Sequence, residues 1–232
     1  MSQAFFDQIR SGLIVSCQTG DNPEFGLPQD MVKFARAAQA GGACAIRSEG
    51  EEILDAIKAA VDLPLIGLKK GYFEDGTVRI SRALNEIEVM VRIGVDVVAI
   101  DATNRSWQGL NGPEIIHKVR DTFDVIVMAD ISTVEDGIAA LEAGAHCLST
   151  TLAGYTPQTQ SQKTSGPDLA LLADVVNAVD IPVIAEGRYN TPKDAAQALQ
   201  HGAWAVVVGS AITRPQLITS WFSSALKHQG NH

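Results

Sequence analysis

Eight short apolar runs, each followed by a stretch with helical periodicity, and a glycine-led turn that recurs about once per quarter of the chain predict an α/β fold of one kind, a (β/α)8 TIM barrel. The runs are Gly12–Cys17, Ala43–Ile46, Pro64–Leu68, Val97–Ile100, Val125–Ala129, His146–Thr150, Pro182–Ala185 and Ala205–Val208. Their apolarity is continuous rather than alternating, as expected of parallel strands covered on both faces. Helical stretches lie between them, at Asp30–Gln39, Glu51–Ala60, Leu84–Ile93, Gly137–Ala143 and Lys193–Gln200. The even-numbered runs follow Gly41-Gly42-Ala43, Gly94-Val95-Asp96, Gly144-Ala145-His146 and Gly202-Ala203-Trp204, at offsets of 53, 50 and 58 residues. Glycine there suits a helix C′ position with positive φ. Ser132-Thr133-Val134-Glu135 reads as a capping box, and Thr191-Pro192 as an N-cap followed by proline at N1. Ser2–Arg10 is expected to form a short helix closing the N-terminal end of one barrel domain spanning residues 1–232. A doubly wound open sheet is the runner-up, but its G-x-G-x-x-G fingerprint is missing.

Composition narrows the partners. The 46% apolar and 19% charged content is that of a globular chain with a sizeable core. Net charge is −9, from 18 Lys+Arg against 27 Asp+Glu, and no basic run is longer than Lys69-Lys70. Such a surface repels nucleic acid and anionic membranes, so neither is expected as a partner, whereas an anionic small molecule in a locally positive pocket stays open. No apolar stretch reaches the ~20 residues of a bilayer span. The start, Met1-Ser2-Gln3-Ala4-Phe5-Phe6-Asp7, lacks a signal-peptide layout. Cys17, Cys44 and Cys147 are odd in number and lack C-x-x-C spacing, which fits reduced thiols in the cytoplasm. Each lies in an apolar run, as a small buried hydrophobe would.

Barrel sites lie where strands end. Odd runs end at Gln18, Lys69-Lys70, Asp130 and Glu186; even runs end at Arg47, Asp101, Thr150-Thr151 and Gly209-Ser210. Packing does not explain so many ionisable groups converging on one mouth. Three long polar connections, Thr19–Pro28, Gly71–Ser81 and Gly154–Asp168, fall on the same face, and the third has the composition of a lid. Val208-Gly209-Ser210-Ala211-Ile212 places a small turn at the head of a short helix, where backbone N–H groups receive anions in barrel enzymes. Gly187, Arg188 and Arg214 add conformational freedom and positive charge there.

None of the five histidines (His117, His146, His201, His228, His232) ends a strand or pairs as H-x-x-x-H, so neither a metal set nor Ser-His-Asp chemistry is expected. Acid–base or imine chemistry by lysine and carboxylates remains. Lys70 is the candidate base, provided burial or a neighbouring cation keeps it neutral, and Glu186 the candidate acid or sugar-orienting group. The alternatives are a Schiff-base sugar-phosphate lyase using Lys70 and a non-catalytic phosphosugar-binding barrel.

With these residues assembled, the sequence resembles the N-acetylmannosamine-6-phosphate 2-epimerase family over nearly its whole length. The similarity rests on Gly12–Gln18, Ala45–Gly50, Pro64–Gly67, Ile100–Thr103, Asp130–Thr133, Thr150–Thr156, Ile184–Pro192 and Gly209–Arg214, the last three being the most specific. The resemblance implies a cofactor-independent, cytoplasmic, often homodimeric enzyme of bacterial sialic acid breakdown. Such an enzyme interconverts N-acetylmannosamine 6-phosphate and N-acetylglucosamine 6-phosphate. It further implies Lys70 and Glu186 as the catalytic pair, Gln18, Arg47 and Asp130 at the sugar, and Gly187, Gly209, Ser210 and Arg214 at the phosphate. One departure stands out: the family pattern of apolar-Lys-Arg reads Lys69-Lys70-Gly71 here, which makes Lys69 a second candidate donor.

Overall fold

The computed structural model describes residues 2–18, 20 and 23–228. Ser2–Ile9 (α1) precedes Leu13–Cys17 (β1). The chain then runs through Pro28–Ala40 (α2), Ala45–Glu49 (β2), Glu51–Lys58 (α3), Leu65–Leu68 (β3), Lys70–Tyr72 (β4), Val78–Ile80 (β5) and Leu84–Ile93 (α4). It continues with Val97–Asp101 (β6), Gly112–Thr122 (α5), Ile126–Asp130 (β7), Val134–Glu142 (α6), Cys147–Ser149 (β8), Leu169–Ala178 (α7) and Val183–Glu186 (β9). Pro192–Gln200 (α8), Ala205–Val208 (β10), Ser210–Thr213 (α9) and Pro215–His228 (α10) complete it. Eight strands close in the order β1-β10-β9-β8-β7-β6-β3-β2, every pair parallel, as the eight apolar runs predict.

Side-chain alternation sorts the strand residues into two cores. Ile14, Ala45, Ile66, Leu68, Val97, Ala99, Ile126, Met128, Cys147, Ile184, Ala205 and Val207 fill the barrel interior. Their neighbours, among them Val15, Ile46, Leu65, Val98, Val127, Leu148 and Val206, pack outward against the helices. Burying both faces removes the sequence alternation that a one-sided sheet would show. The helix α1 inserts Phe5, Phe6 and Ile9 into the interior core, and the Trp204 indole N–H ties it down by donating to the Phe6 carbonyl at 2.8 Å. The N-terminal end is thereby plugged as expected.

Local signals hold with small shifts. Gly42, Gly94, Gly144 and Gly202 all adopt φ between 84° and 94°, so the left-handed residue of the first turn is Gly42 and not Gly41. Thr191 caps α8 as predicted, with Pro192 at its first position. The box before α6 lies one residue later than expected. Thr133 is the N-cap, and the buried Asp136 carboxylate accepts from the Ser132 and Thr133 N–H groups and the Ser132 hydroxyl. Gly71–Ser81, expected as a loop, instead folds as an antiparallel hairpin of β4 and β5 standing on the barrel rim. Of the loop after β1, Thr19, Asp21 and Asn22 lie outside the described residues, as does His232. Cys17 and Cys147 are buried and Cys44 half-buried; burial pushes the Cys17 thiol up to about 12, as befits an inert core residue.

Candidate active site

The alternation that fills the barrel interior also selects which strand-end residues face its mouth. Ile66 and Leu68 point inward, so Lys70, two residues further, points inward as well, whereas Lys69 is exposed on the other side. Ala45 brings Arg47 and Glu49 in, Cys147 brings Ser149 and Thr151, and Ile184 brings Glu186. These side chains surround a cavity of about 540 Å3 at the C-terminal end of the barrel, lined among others by Gln18, Arg47, Glu49, Lys70, Thr151 and Glu186.

On one side of this cavity the Lys70 ammonium donates to Gln18 Oε1 and lies 3.5 Å from Glu49 Oε1. Gln18 is oriented in turn by donating from Nε2 to Ser16 Oγ at 2.8 Å. Burial lowers the Lys70 pKa against the opposing pull of Glu49, and the positive charges of Arg214 and Arg47 lower it further. A neutral amine is therefore more accessible here than on a surface lysine.

Across the cavity the Arg47 guanidinium forks onto Asp130, with Nη2 to Oδ2 at 2.6 Å and Nη1 to Oδ1 at 3.2 Å, and its Nε lies 3.2 Å from Glu186 Oε2. Burial works against the Arg47 charge, but the two carboxylates outweigh it and hold the guanidinium charged. Glu186 is pushed toward its neutral form instead. Burial raises its pKa and the Asp130 charge adds to the rise; Arg47, a Thr151 hydroxyl donating a hydrogen bond to it, and Lys70 only partly offset it. Asp130, expected to touch the sugar, is fully buried and off the cavity wall; it meets the cavity through Arg47 and Thr151.

Gly187, Gly209, Ser210 and Arg214 line the cavity together, at the ends of β9 and β10. Gly187 has φ 115°, a conformation reserved for glycine, and a Cβ on Gly209 would lie 3.2 Å from the Ser16 Cβ, so the β10 turn approaches β1 closely. Arg188 also lines the cavity, but its guanidinium is already engaged: Nε donates to the Gly166 carbonyl and Nη1 to the Ala153 carbonyl, each at 2.7 Å. It thus ties down both ends of the 154–168 connection, whose Thr156 and Thr159 are themselves buried and hydrogen-bonded to each other.

The hairpin that supplies Lys70 is clamped from behind. Arg105 donates to Thr77 Oγ1 at 2.8 Å and to the Val78 carbonyl at 3.1 Å while pairing with Asp101 Oδ2 at 2.8 Å. Arg82, with no exposed side chain, stands 3.6 Å from Asp101 Oδ1. Asp101, read from sequence as a mouth residue, is thus sealed beneath the hairpin.

With that geometry in view, comparison with known proteins is informative. Residues 31–228 match the family described as "Putative N-acetylmannosamine-6-phosphate epimerase". The chain belongs to this family. A relative from Caldanaerobacter subterraneus subsp. tengcongensis, described as "Putative N-acetylmannosamine-6-phosphate 2-epimerase", is 42% identical over 231 residues, covering 99% of this chain and 97% of that protein. One so described from Escherichia coli (strain K12 / DH10B) is 42% identical over 217 residues, covering 93% and 92%. Among solved structures, the N-acetylmannosamine-6-phosphate 2-epimerase from Clostridium perfringens superposes with a TM-score of 0.88 at 38% identity, covering 95% of each chain.

For this family member, sequence reasoning missed several groups on the cavity wall. Glu49 was missed because its strand runs three residues beyond the apolar run; parity two positions after Arg47 was the available signal. Tyr155, Leu217 and Trp221 come from the 154–168 segment and α10, which carry no strand-end signal. Among the described residues no group of three or more His, Cys, Asp or Glu side chains is placed to hold a metal ion. His146 has a structural part, its Nδ1 accepting the Val127 N–H at 2.9 Å.

Proposed function

We propose that this protein interconverts N-acetylmannosamine 6-phosphate and N-acetylglucosamine 6-phosphate by moving the proton at C2. The observation that carries the reading is one cavity holding a lysine with a lowered pKa and a glutamate with a raised one, beside a glycine-lined, arginine-bearing end suited to a phosphate. The C2 proton is acidic only beside the open-chain C1 aldehyde, so the ring must open, an enolate must form, and the proton must return to the other face. Lys70 in its neutral form moves the C2 proton, and Glu186, holding a proton, assists ring opening or proton return. The positive charge of Arg47 favours the enolate. Gly187, Gly209, Ser210 and Arg214 hold the phosphate, and Gln18 orients Lys70 beside the sugar. The proposal extends to one barrel domain over residues 1–232, acting without a cofactor as a cytoplasmic homodimer in sialic acid breakdown.

Proton NMR in D2O with N-acetylmannosamine 6-phosphate tests this directly. Deuterium is expected at C2 of both epimers; interconversion without exchange from solvent, or no interconversion, overturns it. Borohydride added with substrate separates the imine reading, since a trapped adduct on Lys70 would replace proton transfer with Schiff-base chemistry.

A further inference from the structure

The Thr151 hydroxyl has more partners than protons. Its Oγ1 lies 2.8 Å from Asp130 Oδ1, 3.0 Å from Glu186 Oε2 and 2.8 Å from Ser149 Oγ. A hydroxyl supplies one proton and accepts two. Asp130 accepts from both guanidinium Nη groups of Arg47, and this charge-assisted acceptor, at 2.8 Å against 3.0 Å for Glu186, takes the Thr151 proton. Thr151 then faces Glu186 Oε2 with a lone pair. Were Glu186 ionised, two electron-rich oxygens would meet at 3.0 Å on the cavity wall with no proton between them. A proton on Glu186 Oε2 removes the conflict: Glu186 donates to Thr151, Thr151 donates to Asp130, and Ser149 donates to the second lone pair of Thr151. The ion pairs agree, because one guanidinium, Arg47, is shared between two carboxylates.

We infer that Thr151 is a positioning residue for the reaction: by donating to Asp130 it turns a lone pair toward Glu186 and keeps that carboxyl protonated. The groups facing Glu186 are Arg47 from β2, Asp130 from β7, Ser149 and Thr151 at the end of β8, and Lys70 from the hairpin, with Glu49 and Arg214 behind Lys70. Burial and the Asp130 charge raise the Glu186 pKa in the same sense, whereas a Thr151 hydroxyl donating to Glu186 instead of Asp130 would lower it. The inference deepens the proposed function, since it rests on Glu186 acting there as the proton-bearing group, but its test needs no turnover.

The pH titration of the 13C-labelled Glu186 side-chain carboxyl, identified by its loss in Glu186→Gln, is compared in the full-length protein and its Thr151 variants. Thr151→Val is expected to lower the Glu186 pKa by roughly half a unit or more, the shift a single hydrogen bond commands. Thr151→Ser, which keeps the hydroxyl, restores the original titration. An unchanged or raised pKa in Thr151→Val overturns the inference, because a rise would mean that the hydroxyl donates to the Glu186 anion. Thr151→Ala replaces the valine variant if that does not fold. A lowered pKa in a protein that fails to exchange C2 deuterium would leave the Thr151 linkage standing and reject the epimerase reading instead.

Discussion

Two buried arginine clusters occupy the C-terminal end of the barrel, and their charge balance is opposite. Behind the hairpin, Arg82 and Arg105 flank the single carboxylate Asp101, and Arg79 pairs with Glu86 through two hydrogen bonds of 3.0 and 3.1 Å. Asp101 further accepts from the Thr103 N–H and hydroxyl, so the neighbours recorded around it are all donors. In the cavity, Arg47 stands alone between Asp130 and Glu186. Burial raises the pKa of Asp101 and Glu186 alike, but only Glu186 has a second carboxylate beside it and a cavity in front of it. A cluster saturated with donors makes a rigid mount; one in which carboxylates outnumber the guanidinium between them favours a carboxyl that holds its proton.

Four changes would break or sharpen this contrast. The largest effect is expected of Lys70→Ala, which abolishes epimerisation while leaving phosphosugar binding. Turnover above a few per cent in a coupled assay would refute the assignment. Glu186→Gln follows, with a loss of about 10²–10⁴ in kcat, the usual worth of a positioned acid or base. In the sealed cluster the cost shifts from rate to stability. Asp101→Ala leaves Arg82 and Arg105 without their shared carboxylate and is expected to lose ~3–5 kcal/mol, read by urea unfolding. The kcat of its folded form stays within about tenfold, a barrier change of ~1.4 kcal/mol. Arg214→Ala is expected mainly to raise KM, as loss of a phosphate contact shared by ground and transition states would, and an unchanged KM counts against that contact.

The smallest effects are in pH and heat. Because the Lys70 pKa is lowered, its neutral form appears with rising pH below the ordinary lysine value of 10.5, and the pH dependence of kcat/KM should show an ionisation in that range. The Glu186 pKa is shifted in the opposite direction. It is raised above the ordinary 4.5, so stability is lost as pH climbs through the folded value. Glu186→Gln should therefore raise the melting temperature at alkaline pH relative to the unaltered protein, whereas Asp101→Asn, which takes the counter-charge from two arginines, should lower it.

Much of this was legible beforehand. The eight runs, the quarter-repeat glycines and the Thr191-Pro192 cap report local backbone preference, which a sequence carries in full. Parity along each strand likewise separates Lys70 from Lys69 without coordinates. The hairpin at Lys70–Ile80 was less accessible, because the glycine and aspartate that shape its tip serve loops equally well.

Sequence by itself determined the closed barrel and placed Lys70, Arg47 and Glu186 at its mouth, since strand length, helix caps and alternation are properties of neighbouring residues. Only the tertiary structure decided how those charges divide. It drew Asp130 and Asp101 off the cavity wall, engaged Arg188 with the carbonyls of Ala153 and Gly166, and set Thr151 between two carboxylates. The physical reason is distance across the barrel. Residues 83 positions apart, as Arg47 and Asp130 are, meet only when the sheet closes, and a hydrogen bond depends on fractions of an ångström that no local pattern encodes.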